Sequence, residues 1–320
     1  MGVHYNIVAG KLIARDFESR LTGFSPDLAS FLQRVWQARM NIDVKTFRGA
    51  DQIYQMYNNE VGNPPQYTLD ELFSFIYQLR GMHDPGNISV QDYPRRGAFT
   101  ALSDFSDSLI EMKAAFLAKT FFHCMNAYRN AFSRIYVHAP NLPLGMAVLK
   151  QVVGQFAAIP GINEAKIVGP AMAHRSDTIV IYFEDAKAEQ ELLPILVSLQ
   201  KQYPHAFAPG VTSLVNEVAP GIGVAHEPPR FEIVPHQGST HSFGSFYCDL
   251  IFLALRHTPN VHTPQADGRH MLDFMGWTCS VLGINPRNHA EFPSRGKLEA
   301  FQQALAEKAA AARVPAVRRG

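Results

Sequence analysis

Cationic and hydroxyl-bearing side chains recur at alternate positions of predicted β-strands in the second half of the chain. Arg134, Tyr136 and His138 occupy every second position of one strand, so they point to the same side of it. Lys166 and Tyr182 lie on the next two predicted strands. If the three strands are neighbours in one sheet, these side chains share a face suited to an anion such as a phosphate. The alternative is an ordinary solvated sheet face.

Short apolar patterns with clear ends define these strands. Residues 134–138 alternate polar and apolar side chains, residues 165–168 stop at a Gly-Pro pair, and residues 178–183 are rich in β-branched and aromatic types. Ile135 and Val137 take the opposite face of their strand. That face is therefore predicted to pack on helices.

The first part of the chain is predicted to be helical. Ser25 is placed to cap one helix, and Thr68 with Glu71 forms a capping box before another. A long amphipathic helix is predicted over residues 103–125, and residues 82–96, rich in Gly and Pro, are predicted to be a loop. Further along, helices are predicted over residues 144–156, 192–199, 242–255 and 268–282, with loop or short strands over 204–241.

These patterns predict an α+β fold of two domains and a tail. A helical N-terminal domain covers residues 1–130. Residues 131–296 form an α+β domain with a small, mainly antiparallel sheet flanked by helices, and residues 297–320 form a C-terminal helix with a basic tail. A chain of 320 residues, 47% of them hydrophobic, is long enough to bury two cores.

Composition excludes several function classes. The net charge of +1 argues against a dedicated nucleic-acid-binding protein. No apolar run is long enough for a transmembrane helix, and no signal peptide is recognised at the N-terminus, so neither a membrane nor a nucleic acid is predicted as a partner.

Cysteine and histidine usage points to a reducing compartment without a metal. Cys124, Cys248 and Cys279 form no C-x-x-C motif and are interpreted as apolar core residues. The histidines of the segment 226–241 lack metal-ligand spacing, so no metal site is predicted. The cytoplasm is the predicted location.

Five short segments resemble the HopA family, which contains type III effectors. The family also contains partner proteins of kinase-like enzymes in lanthipeptide and thioamide peptide biosynthesis, which resemble phosphothreonine lyases. In this chain the segments follow the family's order, between about residues 131 and 290: Arg134–His138, Ala165–Pro170, Ser176–Phe183, Pro220–Pro228 and Ser242–Ser245.

The resemblance implies β-elimination of phosphate from phosphorylated Ser or Thr, on a precursor peptide that a kinase-like partner phosphorylates. Lys166 is at the position of the base and His138 at that of the acid. A lysine acts as a base only if its pKa lies well below about 10.4, which burial or neighbouring cations bring about. No cofactor is required. The side chains predicted to bind phosphate or substrate are Arg134, Arg175, Tyr136, Tyr182 and Tyr247.

The chain also departs from the pattern that the resemblance implies. Tyr136 and Glu164 stand where the phosphothreonine lyases carry lysines, and Phe246-Tyr247 follows the Ser-Phe-Gly motif where the family often carries an arginine. The alternative is therefore a non-catalytic type III effector, or a scaffold that binds a peptide or protein. The corresponding alternative location is secretion into a host cell.

Overall fold

A computed structural model of the protein describes residues 17–46, 48–58, 65–92, 98–127, 131–227 and 243–290. The chain divides into two compact units. Unit 1 comprises residues 1–54 and 228–320, and unit 2 comprises residues 55–227. Among the described residues, no helix combines the length and the apolar character that crossing a bilayer requires.

Unit 1 is helical in its described residues. Residues 17–21 are helical, and the longer helices are α1 (Pro26–Ala38), α2 (Arg48–Tyr57, which runs into unit 2), α8 (Phe243–Arg256) and α9 (Arg269–Leu282). Ser25 caps α1 by accepting a hydrogen bond from the Leu28 amide, as its sequence predicts. α8 and α9 pack against each other, and almost the whole surface of α8 is buried.

Unit 2 is built on one eight-stranded sheet with helices against one face. Its helices are α3 (Leu69–Met82), α4 (Asp107–Met112), α5 (Ala114–Leu117), α6 (Leu142–Val153) and α7 (Ala186–Gln202). Its strands are β1 (Ile88–Asp92), β2 (Ala98–Ala101), β3 (Phe121–Met125), β4 (Ser133–Val137), β5 (Ile162–Val168), β6 (Ile179–Phe183), β7 (Asn216–Ala219) and β8 (Ile222–His226).

All neighbouring strands of the sheet are antiparallel. The strand order is β2-β1-β3-β5-β6-β4-β8-β7. On one face, side chains such as Ile135, Ile167 and Ile181 join apolar residues of α3, α6 and α7 in a continuous buried core. The α+β class and the antiparallel sheet are confirmed. We call the opposite face, which carries the predicted site residues, the polar face.

Three strands were not predicted. β1 lies in the segment 82–96 that was predicted to be a loop, and β2 follows it. β3 lies where the helix over residues 103–125 was predicted to continue, but helical structure ends at Leu117. β3 is central in the sheet and its first four residues are buried. A strand covered on both faces has an apolar run without alternation, which cannot be told from a buried helix by period alone.

The units do not follow the predicted boundary at residue 130. That position lies inside unit 2, between β3 and β4 of the same sheet. The helical region predicted for residues 1–130 is thus mixed, because β1, β2 and β3 belong to it. The predicted tail, residues 297–320, lies outside the described residues.

Candidate active site on the polar face

Lys166 and Tyr136 lie in one row across three adjacent strands. Val180 of β6 is paired with Lys166 of β5 on one side and with Tyr136 of β4 on the other. Directly paired residues on antiparallel strands share a face, so the polar face contains all three. In the next row, Tyr182 lies between Glu164 and Arg134 in the same way.

Lys166 is half-buried among aromatic rings. Its Nζ atom lies 4.2 Å from the centroid of the Phe121 ring and 5.3 Å from that of Tyr182. On the β3 side, the residue paired directly with Lys166 is His123. Rings on two sides restrict where the amine can point.

Arg134 is already bound by a carboxylate. Its side chain forms an ion pair with Glu227, just after β8, and its guanidinium carbon lies 4.6 Å from the centroid of the Tyr182 ring. Arg134 is only 7% exposed. A buried arginine needs such a partner because an unpaired buried charge is costly.

Glu164 brings a negative charge to the centre of the polar face. Its Oε2 atom lies 3.3 Å from Nδ1 of His123. Burial raises the pKa of Glu164, but His123, and then Lys166 and Arg134, outweigh it and hold that pKa below its ordinary value. Glu164 is therefore an ionised carboxylate among cations. The polar face is an ion-pair network and not the purely cationic and hydroxyl-bearing surface that the sequence predicts.

His138 is held by the loop and hairpin that follow α7. Its Nδ1 atom lies 2.6 Å from the carbonyl oxygen of Gly210. Because a carbonyl oxygen only accepts hydrogen bonds, Nδ1 carries the proton of this hydrogen bond. Nε2 is then the nitrogen that can exchange a proton with a ligand. The His138 amide donates to Gly221 O, and its carbonyl accepts from the Ala208 amide.

His138 follows β4, two residues after Tyr136, which shares a row of the sheet with Lys166. Lys166 is two strands away from β4, and His138 is two residues beyond Tyr136. Strand spacing and rise then put the two Cα atoms roughly 12 Å apart. Val180, with a short side chain, lies between them on β6. In the structure, Nζ of Lys166 lies beside the Phe121 ring of β3, and Nδ1 of His138 is bound to Gly210 O.

Tyr136 is buried within the sheet rather than displayed on it. It is only 2% exposed. Burial raises the pKa of Tyr136, although Arg134 opposes the shift. Tyr136 is therefore a neutral, buried phenol with a structural position in the sheet.

Arg175 lies in the β5–β6 connection beside the Lys166 end of the face. It makes two hydrogen bonds to the carboxylate of Asp177, of 2.7 and 2.8 Å. Its guanidinium carbon lies 5.2 Å from the centroid of the Phe121 ring, the same ring that contacts Lys166. Arg175 is thus near Lys166, and it is already paired.

Tyr247 is a predicted site residue that lies outside unit 2, the unit that contains the sheet. It belongs to α8 of unit 1 and is fully buried, with its hydroxyl donating to the carbonyl oxygen of His289. Burial raises its pKa well above the ordinary value. Its proposed contact with phosphate stays a prediction.

Three charged residues around the site were missed. His123 lies in the segment that was predicted to be helical. A helix has no strand partner, so the pairing of His123 with Lys166 could not be predicted from it. Glu227 follows β8 and Glu217 precedes the turn of the β7–β8 hairpin; both lie in a segment predicted only as loop or short strands. For His123, the available signal was its alternate position between Phe121 and Met125, once that run is taken as a strand.

The three cysteines lie in the part of the chain that the structure describes. Cys124, Cys248 and Cys279 are free and buried. Burial raises the pKa of the Cys124 and Cys279 thiols to about 12, with Glu164 adding to the effect at Cys124. These thiols are inert core groups. Among the described residues, no group of three His, Cys, Asp or Glu side chains is placed to hold a metal ion.

Comparison with solved structures shows where this fold occurs. The effector protein from Pseudomonas syringae pv. syringae strain 61 aligns with a TM-score of 0.57 and 15% identity, over 84% of this chain and 98% of that chain. The effector protein from Pseudomonas syringae pv. tomato strain DC3000 aligns with a TM-score of 0.51 and 15% identity, over 82% and 97%. At such identity the likeness concerns the fold alone.

Comparison of sequences identifies the family. No match was found among curated proteins. The profile of the HopA1 effector protein family matches residues 116–309, more than half of the chain and including β3 to β8 of the sheet. The chain therefore belongs to the HopA1 effector protein family.

Proposed function

We propose that this protein is a phospho-Ser/Thr lyase, which removes phosphate from a phosphorylated peptide by β-elimination. The proposal is supported by the position of Lys166 on the polar face, in the same row as Tyr136, which lies two residues before His138. Lys166 lies near the Tyr182 and Phe121 rings, which also contact the two paired arginines.

In the proposed reaction, Nζ of Lys166 removes the Cα proton of the phosphorylated residue. The electron pair of that C–H bond forms a double bond between Cα and Cβ, and the Cβ–O bond breaks. Nε2 of His138 gives its proton to the leaving phosphate. The products are inorganic phosphate and dehydroalanine or dehydrobutyrine, so atoms and charge balance without an oxidant or a cofactor.

The two histidine nitrogens have distinct tasks in this mechanism. Gly210 O holds Nδ1–H, which fixes the ring and leaves Nε2 to carry the transferred proton. Proton donation requires the imidazolium form, and a bound phosphate favours that form. The arginines contribute to phosphate binding only if the phosphate shares them with Glu227 and Asp177.

The substrate in this proposal is a precursor peptide, phosphorylated by a kinase-like partner in modified-peptide biosynthesis. The corresponding location is the cytoplasm. A family named for effectors also supports a location outside the producing cell, by type III secretion into a host cell.

Mass spectrometry of phosphoserine and phosphothreonine peptides, incubated with the purified protein, tests the activity. We expect a loss of phosphoric acid with the wild type. Lys166→Ala and His138→Ala each lower the rate at least a hundredfold, the usual contribution of a general base or acid. Lys150→Ala and His205→Ala, both at exposed positions, are the matched controls and retain the activity.

A second candidate is a non-catalytic protein that binds an anionic peptide. It is favoured by the carboxylate partners that both arginines and His123 already have. Calorimetry with phosphorylated and unphosphorylated forms of one peptide separates the candidates. Phosphate-dependent binding without elimination, also in the presence of a kinase-like partner, would replace the lyase by this second function.

A further inference from the structure

A carboxylate lies beside the proposed base, on the same strand and the same face. Glu164 and Lys166 are two residues apart on β5, so their Cα atoms are about 7 Å apart. A carboxylate this close stabilises an ammonium and opposes its deprotonation. A base at position 166 therefore requires that Glu164 be engaged by another group.

His123 is that group. Its Nδ1 atom is hydrogen-bonded to Oε2 of Glu164 at 3.3 Å, and it lies on β3, on the side of β5 away from β6. His123 is 5% exposed, and its ring meets the Phe99 ring edge-on at a centroid distance of 5.3 Å. This packing fixes the imidazole and, through the hydrogen bond, the Glu164 carboxylate.

The other polar groups around Lys166 do not replace His123 in this task. Arg134 pairs with Glu227, and Arg175 pairs with Asp177. Two phenols also lie on the polar face near Lys166: Tyr182, whose ring centroid is 5.3 Å from Nζ, and Tyr136 in the same row of the sheet.

We propose that His123 is a positioning residue for Lys166: it engages the Glu164 carboxylate by a hydrogen bond and so limits the pairing of that carboxylate with the amine. The catalytic meaning of this inference rests on the proposed lyase function. His123 itself makes and breaks no bond in the reaction.

The pH dependence of kcat/KM for phosphopeptide elimination tests the proposal. His123→Leu frees Glu164 to pair with Lys166. The rising limb of the kcat/KM profile then moves to higher pH by about one unit, and kcat/KM at pH values below that limb falls about tenfold. Glu164→Gln removes the opposing charge, and the limb moves to lower pH. In the double variant the limb returns to the wild-type position or below it.

A merely structural role gives a different result. Damage to the sheet lowers the rate equally at every pH, so an unmoved limb in both single variants overturns the proposal. His123→Gln, which keeps a hydrogen-bond donor, is expected to lie between wild type and His123→Leu. His226→Gln, at the end of β8, is the matched control and leaves the limb in place.

A second measurement does not depend on elimination. Trace acetylation of the native protein across a pH series, read by mass spectrometry of the peptide containing Lys166, reports the fraction of free amine. His123→Leu shifts this curve to higher pH and Glu164→Gln shifts it to lower pH. Unmoved curves would overturn the inference, whereas shifted curves in a protein that eliminates no phosphate would support it and reject the lyase.

Discussion

Buried ionisable groups on the polar face occur in pairs: the ion pairs of Arg134 with Glu227 and Arg175 with Asp177, and the hydrogen-bonded pair of His123 with Glu164. Each pair offsets the cost of removing its members from water. The same pairing limits what the arginines can give to a ligand, because a phosphate must share a guanidinium with a carboxylate or displace it. Residue types alone predict cations here; the pairs decide how much of their charge remains for a ligand.

Glu164 makes the stability of unit 2 sensitive to acid. Its pKa in the folded protein is below the ordinary 4.5, since His123, Lys166 and Arg134 outweigh the effect of burial. A depressed pKa stabilises the fold above the unfolded value, and this stabilisation is lost as pH falls through the folded value. We expect the melting temperature of wild type to fall between pH 6 and pH 3 by more than that of Glu164→Gln.

The exposed Glu191 of α7 provides the control for this prediction, because Glu191→Gln should leave the pH dependence of wild type unchanged. Melting curves followed by circular dichroism at half-unit pH steps are sufficient. Equal losses for wild type and Glu164→Gln would show that the pairing of Glu164 does not stabilise the fold.

The strand pattern predicts β4, β5 and β6 well, since alternation and clear end signals coincide there. It fails for β3, where Phe121 and Phe122 are both buried on opposite sides of the sheet. It also passes over β1, although Ile88 and Val90 alternate with Ser89 and Gln91, because Gly and Pro nearby indicate a loop. The sequence pattern therefore indicates the strand that carries Lys166, but not the strand that carries His123.

The β7–β8 hairpin is the element that orients the proposed acid. Oε1 of Glu217 accepts hydrogen bonds from the amides of Gly210 and Gly221, at 3.0 and 2.9 Å. The carbonyl of Gly210 in turn holds the His138 ring. Both glycines have positive φ, +78° and +74°, which other residues adopt only with strain.

Glu217→Ala removes this support and is expected to lower kcat for elimination about tenfold to a hundredfold, with a smaller change in KM, because the acid is misplaced while the peptide still binds. Glu217→Gln keeps one oxygen that can accept both amide hydrogen bonds, and it should retain most of the activity. Steady-state kinetics of the two variants decides the matter. A loss of similar size in both would assign the effect to the charge and not to the hydrogen bonds.

At the scale of the whole molecule, the division of the chain differs from what composition and periodicity predict. A change from helical to strand patterns near residue 134 is real in the sequence, yet β1, β2 and β3 precede it and complete the same sheet. Unit 1 combines residues from both ends of the chain. Pairing between distant segments decides such divisions, and local patterns do not encode it.

Residues 55–227 contain all eight strands and the buried core beneath them, so we expect this fragment to fold when expressed alone. The matched comparison is the fragment 131–296, which follows the boundaries predicted from sequence. It lacks β3, the strand that pairs with one edge of β5. That edge is then unpaired, which favours aggregation. Circular dichroism and thermal melting should show a cooperative transition for 55–227 and none for 131–296. The reverse result would mean that the sheet depends on unit 1 more than on its own first three strands.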